Sequence, residues 1–110
     1  MSTGAASVLA WTGAATTMVA SLSLLGTGVI AQSRAATAAD LASLAGADAV
    51  AVAHGHPCAV AADVAARNDA RLLRCEQRHW DVLVTVEVDA APLPPATARS
   101  RAGPGPAELP

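Results

Sequence analysis

The sequence contains no phenylalanine, no tyrosine and no lysine. Its aromatic fraction is 2%, from Trp11 and Trp80 alone, against a hydrophobic fraction of 53% in which alanine is the largest contributor. A core built on alanine removes little apolar surface from water, and each Å² is worth only roughly 25 cal/mol. A chain of 110 residues so poor in large side chains therefore needs a staple, a membrane or a partner. Without lysine, all seven basic residues are arginines, and they are outnumbered by nine acidic ones. They form no basic stripe of the kind that tracks a nucleic acid. No P-loop, nucleophile elbow, HExxH run or dinucleotide fingerprint is present. Neither an enzyme, a small-molecule substrate nor a cofactor is expected.

Charge is also missing from the whole amino-terminal third. The first charged side chain is Arg34, so residues 1–33 form one uncharged run. Its apolar heart, residues 8–31, makes roughly 36 Å of helix at 1.5 Å per residue, enough to span a bilayer. Thr12, Thr16, Thr17, Ser21, Ser23 and three glycines dilute it. Three fates fit: a retained transmembrane helix, a secretory signal cut after Val29-Ile30-Ala31, and a buried helix of a soluble protein. The lack of Lys or Arg at the amino end and the length of the run speak for the retained helix.

Helical composition continues to Ala53, where Gly55 and Pro57 interrupt it. Arg34, Thr37, Asp40 and Ser43 recur every three positions and read as a polar face. Opposite them lie Ala31, Ala35, Ala38, Ala42, Ala45 and Ala49, a heptad seam of small residues that would let another helix approach closely. A second helix is expected from about Cys58 to Asn68, opened by Pro57. It carries an Asp63–Arg67 pair on its wet side and an apolar strip of Val60 and Val64.

Beyond Asn68 the period changes to two. Residues 71–76 read as a short strand and 77–80 as a turn. Residues 81–89 are the clearest strand in the chain, with Val82, Val84, Val86 and Val88 facing inward and Leu83, Thr85 and Glu87 outward. Pro92, Pro94 and Pro95 are expected to break the sheet. Residues 96–102 are expected to resume it with Arg99 and Arg101 on the outer face, and the Pro/Gly-rich tail 103–110 to be disordered. Trp80 is expected as a core or edge plug beside the valine strand.

Few side chains could carry chemistry. Two cysteines downstream of a membrane-targeting segment point to a Cys58–Cys75 disulfide in an oxidising compartment. Closing that loop contributes about 3 kcal/mol in the chain-entropy model. Two free thiols are the alternative, and a third reading is a metal site using His54, His56, Cys58 and either Cys75 or His79. Asp40 with Asp48, and Asp63 with Asp69, are carboxylate pairs without evident partners. Arg71, Arg74 and Arg78 make a modest basic cluster that could meet an acidic partner or lipid headgroups.

The order of these parts resembles the TadE/TadG-like pilus-assembly proteins of the tight-adherence (Flp) apparatus, in particular their short actinobacterial subgroup. The run RAATAADLASLAGA at 34–47 is similar to the segment that follows the transmembrane helix in that family. Pro57-Cys58 opening a helix, Cys75 in the next strand, the VTVEV strand at 84–88 and the ARSRAGP run at 98–104 also match the subgroup. The resemblance does not extend to the processing signal. Leu9 stands at the fifth position after Gly4, where pilin precursors carry glutamate, and no acidic residue precedes Asp40. The resemblance implies a type IVb pilin-like architecture of α+β class. Residues 1–33 would form the helix in the cytoplasmic membrane, single-pass. It would continue into a helix of a small extracytoplasmic domain, 34–102, whose second helix packs on an antiparallel sheet of two or three strands. Its implied partners are other pilus or secretion components in the membrane. A small binding protein released by cleavage near Ala31, and a membrane-tethered metal-binding protein, remain the alternatives.

Overall fold

The computed structural model describes residues 2–53 and 55–104, with side chains from Gly4 onward. Five elements follow one another: α1 (Ser2–Ala51), α2 (Pro57–Arg67), β1 (Arg71–Arg78), β2 (Asp81–Ala90) and β3 (Leu93–Ala102). The strands form one antiparallel sheet in the order β1-β2-β3. Both helices cover one face of this sheet, and the other face is open. The class is α+β, as the sequence leads one to expect.

No proline or glycine pair interrupts α1, so it runs unbroken for 50 residues. At 1.5 Å per residue this makes a rod of roughly 75 Å, and the molecule's longest dimension is 79 Å. Only its carboxyl-terminal half is packed. Ala31, Ala35, Ala38, Ala42 and Ala49 of the alanine seam are buried, and Ala45 is half-buried. Their neighbours are the chain's own sheet and α2. Ala39, Ser43 and Gly46 complete the buried face.

Ser43 departs from expectation. The three-residue polar spacing puts it on the wet side of the helix, yet it is 1% exposed. Its hydroxyl lies 3.1 Å from Ser100 Oγ on β3 and 3.0 Å from the Asp40 carbonyl oxygen, so its polarity is satisfied inside the fold.

Helix α2 starts with Pro57 in its first turn and ends on a Schellman motif. Asp69 takes a left-handed φ of 57°. The Asp69 and Ala70 amides donate back to the Ala66 and Ala65 carbonyls at 3.1 and 2.9 Å. The fully buried residues are Ala61 and Ala65 rather than Val60 and Val64, which sit half-covered at the flanks. Alanines at the contact let α2 lie close against the small-residue face of α1. The Asp63–Arg67 pair forms at 3.0 Å on the exposed side.

In the sheet, β2 is central. Val82, Val84, Val86 and Val88 are each at most 4% exposed and supply the largest side chains of the core. Strand β1 extends two residues past its expected end, to Arg78, leaving a two-residue turn in which His79 has φ 56°. Trp80 occupies the second turn position and is 60% exposed, not a core plug. A residue at the tip of a hairpin projects beyond the layer that could cover it.

The prolines do not end the sheet. β3 starts at Leu93 and runs through Pro94 and Pro95. It is an edge strand, so a residue without an N–H is tolerated on the side that has no strand partner. The register shifts between Val88 and Ala90, and the Ala91–Pro92 peptide is cis. Of the tail, residues 105–110 lie outside the described residues.

Candidate functional site

The amino-terminal half of α1 is bare. Val8, Leu9, Trp11, Met18, Val19, Leu22 and Leu25 are all between 63% and 78% exposed. An exposed apolar surface this long and continuous marks a contact with a membrane or with another protein. The helix is long and apolar enough to cross a membrane. Three of its polar side chains suit that medium. The hydroxyls of Thr16, Thr17 and Thr27 donate to the carbonyls of Thr12, Gly13 and Ser23 at 2.8–3.0 Å. They thus need no water to satisfy them.

Cys58 and Cys75 are joined in a disulfide, with Cα atoms 5.7 Å apart. The bond ties the first turn of α2 to the middle of β1, the expected pairing. Both sulfurs are committed to each other and neither is a thiolate ligand. Among the described residues no group of three His, Cys, Asp or Glu side chains converges to hold a metal ion. Of the residues named for such a site, His54 lies outside the described residues, and His56, at the α2 N-cap, and His79, in the β1–β2 turn, are exposed.

The carboxylates are also dispersed. Asp40 and Asp48 are separated along α1 by roughly 12 Å of helix rise. Asp40 accepts a hydrogen bond from the Ser100 hydroxyl at 2.8 Å. Asp63 is engaged by Arg67, and Asp69 serves the α2 terminus through its backbone. None of these carboxyls is placed beside a second one.

The open face of the sheet gathers most of the arginines. Cross-strand register puts Arg74, Thr85 and Arg99 in one row and Glu76, Leu83 and Arg101 in the next. Arg71 and Arg78 close the two ends of β1. Five of the seven arginines therefore share this face, which the sequence alone gives as two separate groups, Arg71, Arg74 and Arg78 on β1 and Arg99 and Arg101 on the outer face of β3. Antiparallel register is the missing signal, because it brings Arg99 and Arg101 level with β1. Glu87 pairs with Arg71, Glu76 with Arg78 and Asp81 with Arg101. Arg74 and Arg99 form no ion pair among the described residues. They flank a shallow hollow floored by Leu83 and Thr85.

At the far end of the rod, Trp80 lies between two open depressions. One is lined by Ala49, Val50, Pro57 and His79, the other by Leu44, Asp48, Ala51 and Pro104. At the near end, β3 reaches back along the helix. Gln32 Nε2 donates to the Thr97 carbonyl at 3.0 Å. Leu93 borders a hollow with Leu24, Leu25, Gly28 and Val29. The folded unit thus begins within the apolar run, above Ser23. Gln32 and Ser100, which with Ser43 fix β3 to the helix, carry no sequence pattern that would single them out.

The chain matches no family model, no curated protein and no solved structure.

Proposed function

We propose that this chain is a non-catalytic, single-pass membrane protein of the minor-pilin type, serving as a subunit or accessory factor of an Flp-type pilus or secretion assembly. The observation that carries this reading is the continuity of α1. One unbroken helix is bare and apolar in its first half, and in its second half it is the central element of a small α+β domain. A rigid rod of that kind couples the position of a membrane span directly to the position of the domain. It also presents a long uncovered helical surface on which neighbouring spans can pack.

The RAATAADLASLAGA run at 34–47 lies in the packed half of α1, and its likeness to the segment that follows the transmembrane helix in TadE/TadG-like proteins supports the reading. The disulfide supports an extracytoplasmic domain, because such bonds persist in oxidising compartments. With Leu9 in place of the pilin glutamate, an accessory role in the membrane fits as well as a place in the fibre. The partners are other pilus or secretion components, met through the bare helix and the arginine-rich sheet face.

Two measurements on intact cells test the reading. A membrane-impermeant thiol reagent is expected to label Cys58 and Cys75 only after reduction. Labelling without reductant, and only after the membrane is broken, sinks the topology. A photo-crosslinking side chain at Val19 or Leu22 is expected to capture a pilus or secretion component. If it captures lipid alone in cells that are assembling pili, the partner assignment fails while the anchor stands.

A further inference from the structure

The turn between β2 and β3 lies alongside the apolar helix. A Cβ built on Gly28 would sit 3.3 Å from Leu93 Cδ1, and Thr97 is tied to Gln32. Further along, Ser100 meets Asp40 and Ser43, and Gly103 lies beside Leu44 and Asp48. β3 therefore tracks α1, with its first residues at the end nearest the bare helix. Between Asp89 and Arg99 the chain carries no charge: the intervening run is AAPLPPATA. Pro92, Pro94 and Pro95 are exposed, as are Leu25, Val29 and Ile30 on the neighbouring stretch of helix.

Dimensions fix what this surface faces. Residues 4–23 of α1, below the turn, measure roughly 30 Å, the thickness of the hydrocarbon core. If they cross the bilayer, the turn rests at the headgroup–acyl boundary. If the span is instead residues 8–31, as composition alone indicates, Leu93 lies within the hydrocarbon. Both placements bring residues 90–95 into contact with lipid. The backbone is suited to it. An edge strand in an apolar medium suffers from every N–H that lacks a partner, and proline has none. Three of the four residues from Pro92 to Pro95 are prolines.

We propose that the β2–β3 turn is a second membrane contact, a proline-rich foot that rests in the lipid interface beside the span and holds the domain upright on the bilayer. Residues 4–23 cross the hydrocarbon core. This inference rests on the membrane-anchored reading, and its occupant is the lipid interface itself, continuous with the lipid around the bare helix.

Nitroxide labels test it on the full chain in phosphatidylcholine–phosphatidylglycerol vesicles. The native cysteines are locked in their disulfide, so a single added thiol can be labelled without reductant. Ala91→Cys reports the turn, Val19→Cys the span and Gln77→Cys the far end of the β1–β2 hairpin. Collision with lipid-soluble oxygen is compared with collision with an aqueous nickel chelate. The expected result is a high oxygen-to-nickel ratio at Val19, a low one at Gln77 and an intermediate one at Ala91. A ratio at Ala91 equal to that at Gln77, with Val19 still in lipid, overturns the foot and leaves the anchor standing. A water-like ratio at Val19 overturns both. Shielding of Ala91 from both reagents means that protein covers the turn, which also overturns the proposal. Pro92→Cys repeats the measurement if the added thiol at residue 91 disturbs formation of the disulfide.

Discussion

Gly46 of α1 and Val82 of β2 meet so closely that a methyl group on the glycine would lie 3.0 Å from Val82 Cγ1 and 3.2 Å from the Pro57 carbonyl oxygen. Three elements converge at this one point: both helices and the central strand. Replacing a helical glycine with alanine normally gains about 1 kcal/mol in propensity. Here the gain is opposed by overpacking against a fully buried valine and a backbone atom, which costs about 1–3 kcal/mol. Gly46→Ala is expected to destabilise the chain by about 1 kcal/mol net. Gly13→Ala, with nothing within 4 Å of the new methyl, is expected not to. Denaturant unfolding of the full chain in detergent micelles compares the two. A Gly46→Ala variant as stable as Gly13→Ala would mean that the three elements do not pack this tightly.

Ser43 is the only buried polar side chain among the described residues. It sits at the head of a chain of hydroxyls, donating to Ser100, which donates to the Asp40 carboxylate. Removing the first hydroxyl leaves the second bond in place. Ser43→Ala is therefore expected to cost about 1 kcal/mol. In a double-mutant cycle, Ser43→Ala and Ser100→Ala are expected to be non-additive, because the two hydroxyls share one network. Strict additivity would show that the Ser43–Ser100 contact does nothing to hold β3 to the helix.

The disulfide closes a loop between residues 17 positions apart, in a domain whose core is alanine and four valines. Chain entropy assigns such a link about 3 kcal/mol, a large fraction of what a small domain has. Reduction, or the Cys58→Ala/Cys75→Ala pair, is expected to lower the unfolding midpoint accordingly. Equal midpoints with and without reductant would place the stability of the domain elsewhere, in the membrane or in a partner.

The elements that could be read from the sequence are those with a strong period. Alternating valines fixed the inner face of β2, and the uncharged run fixed the long apolar helix. The cysteine pair was legible because the helix before Asn68 and the strand after it can fold back on each other. What escaped depends on neighbours distant in the chain. Ser43 reads as polar and exposed until β3 is laid over it. Pro94 and Pro95 read as breakers until β3 is known to be an edge. Trp80 reads as core until the hairpin turn is shortened to two residues. The arginine face needs the register of all three strands before its five members come together.

Asp81 links two of these features. It accepts hydrogen bonds from Arg101 across the sheet, and a Cβ on Gly103 would collide with its carboxylate. Gly103→Ala is therefore expected to displace the Asp81 carboxylate and weaken the end of the sheet by about 1 kcal/mol. Arg74→Ala and Arg99→Ala, which lose no ion pair, are expected to change stability by less than about 0.5 kcal/mol. The same unfolding assay distinguishes them. A loss at Arg74 or Arg99 as large as that at Gly103 would mean that the two arginines hold the sheet together and are not free to meet a partner.

The fate of the amino terminus follows from where the domain begins. Cutting after Ala31 would remove Gly28 from beneath Leu93 and leave Gln32, which holds Thr97, at a new and frayed terminus. Ala31 itself is 4% exposed, within an unbroken helix, so the bond after it is reachable only if β3 has not yet docked. The folded chain is therefore expected to keep its apolar helix. Mass spectrometry and amino-terminal sequencing of protein extracted from membranes should give a start at or before Val8. A mature start at Gln32, in protein recovered from the medium, would convert the molecule into a secreted binding protein. The bare helix would then have served only for export.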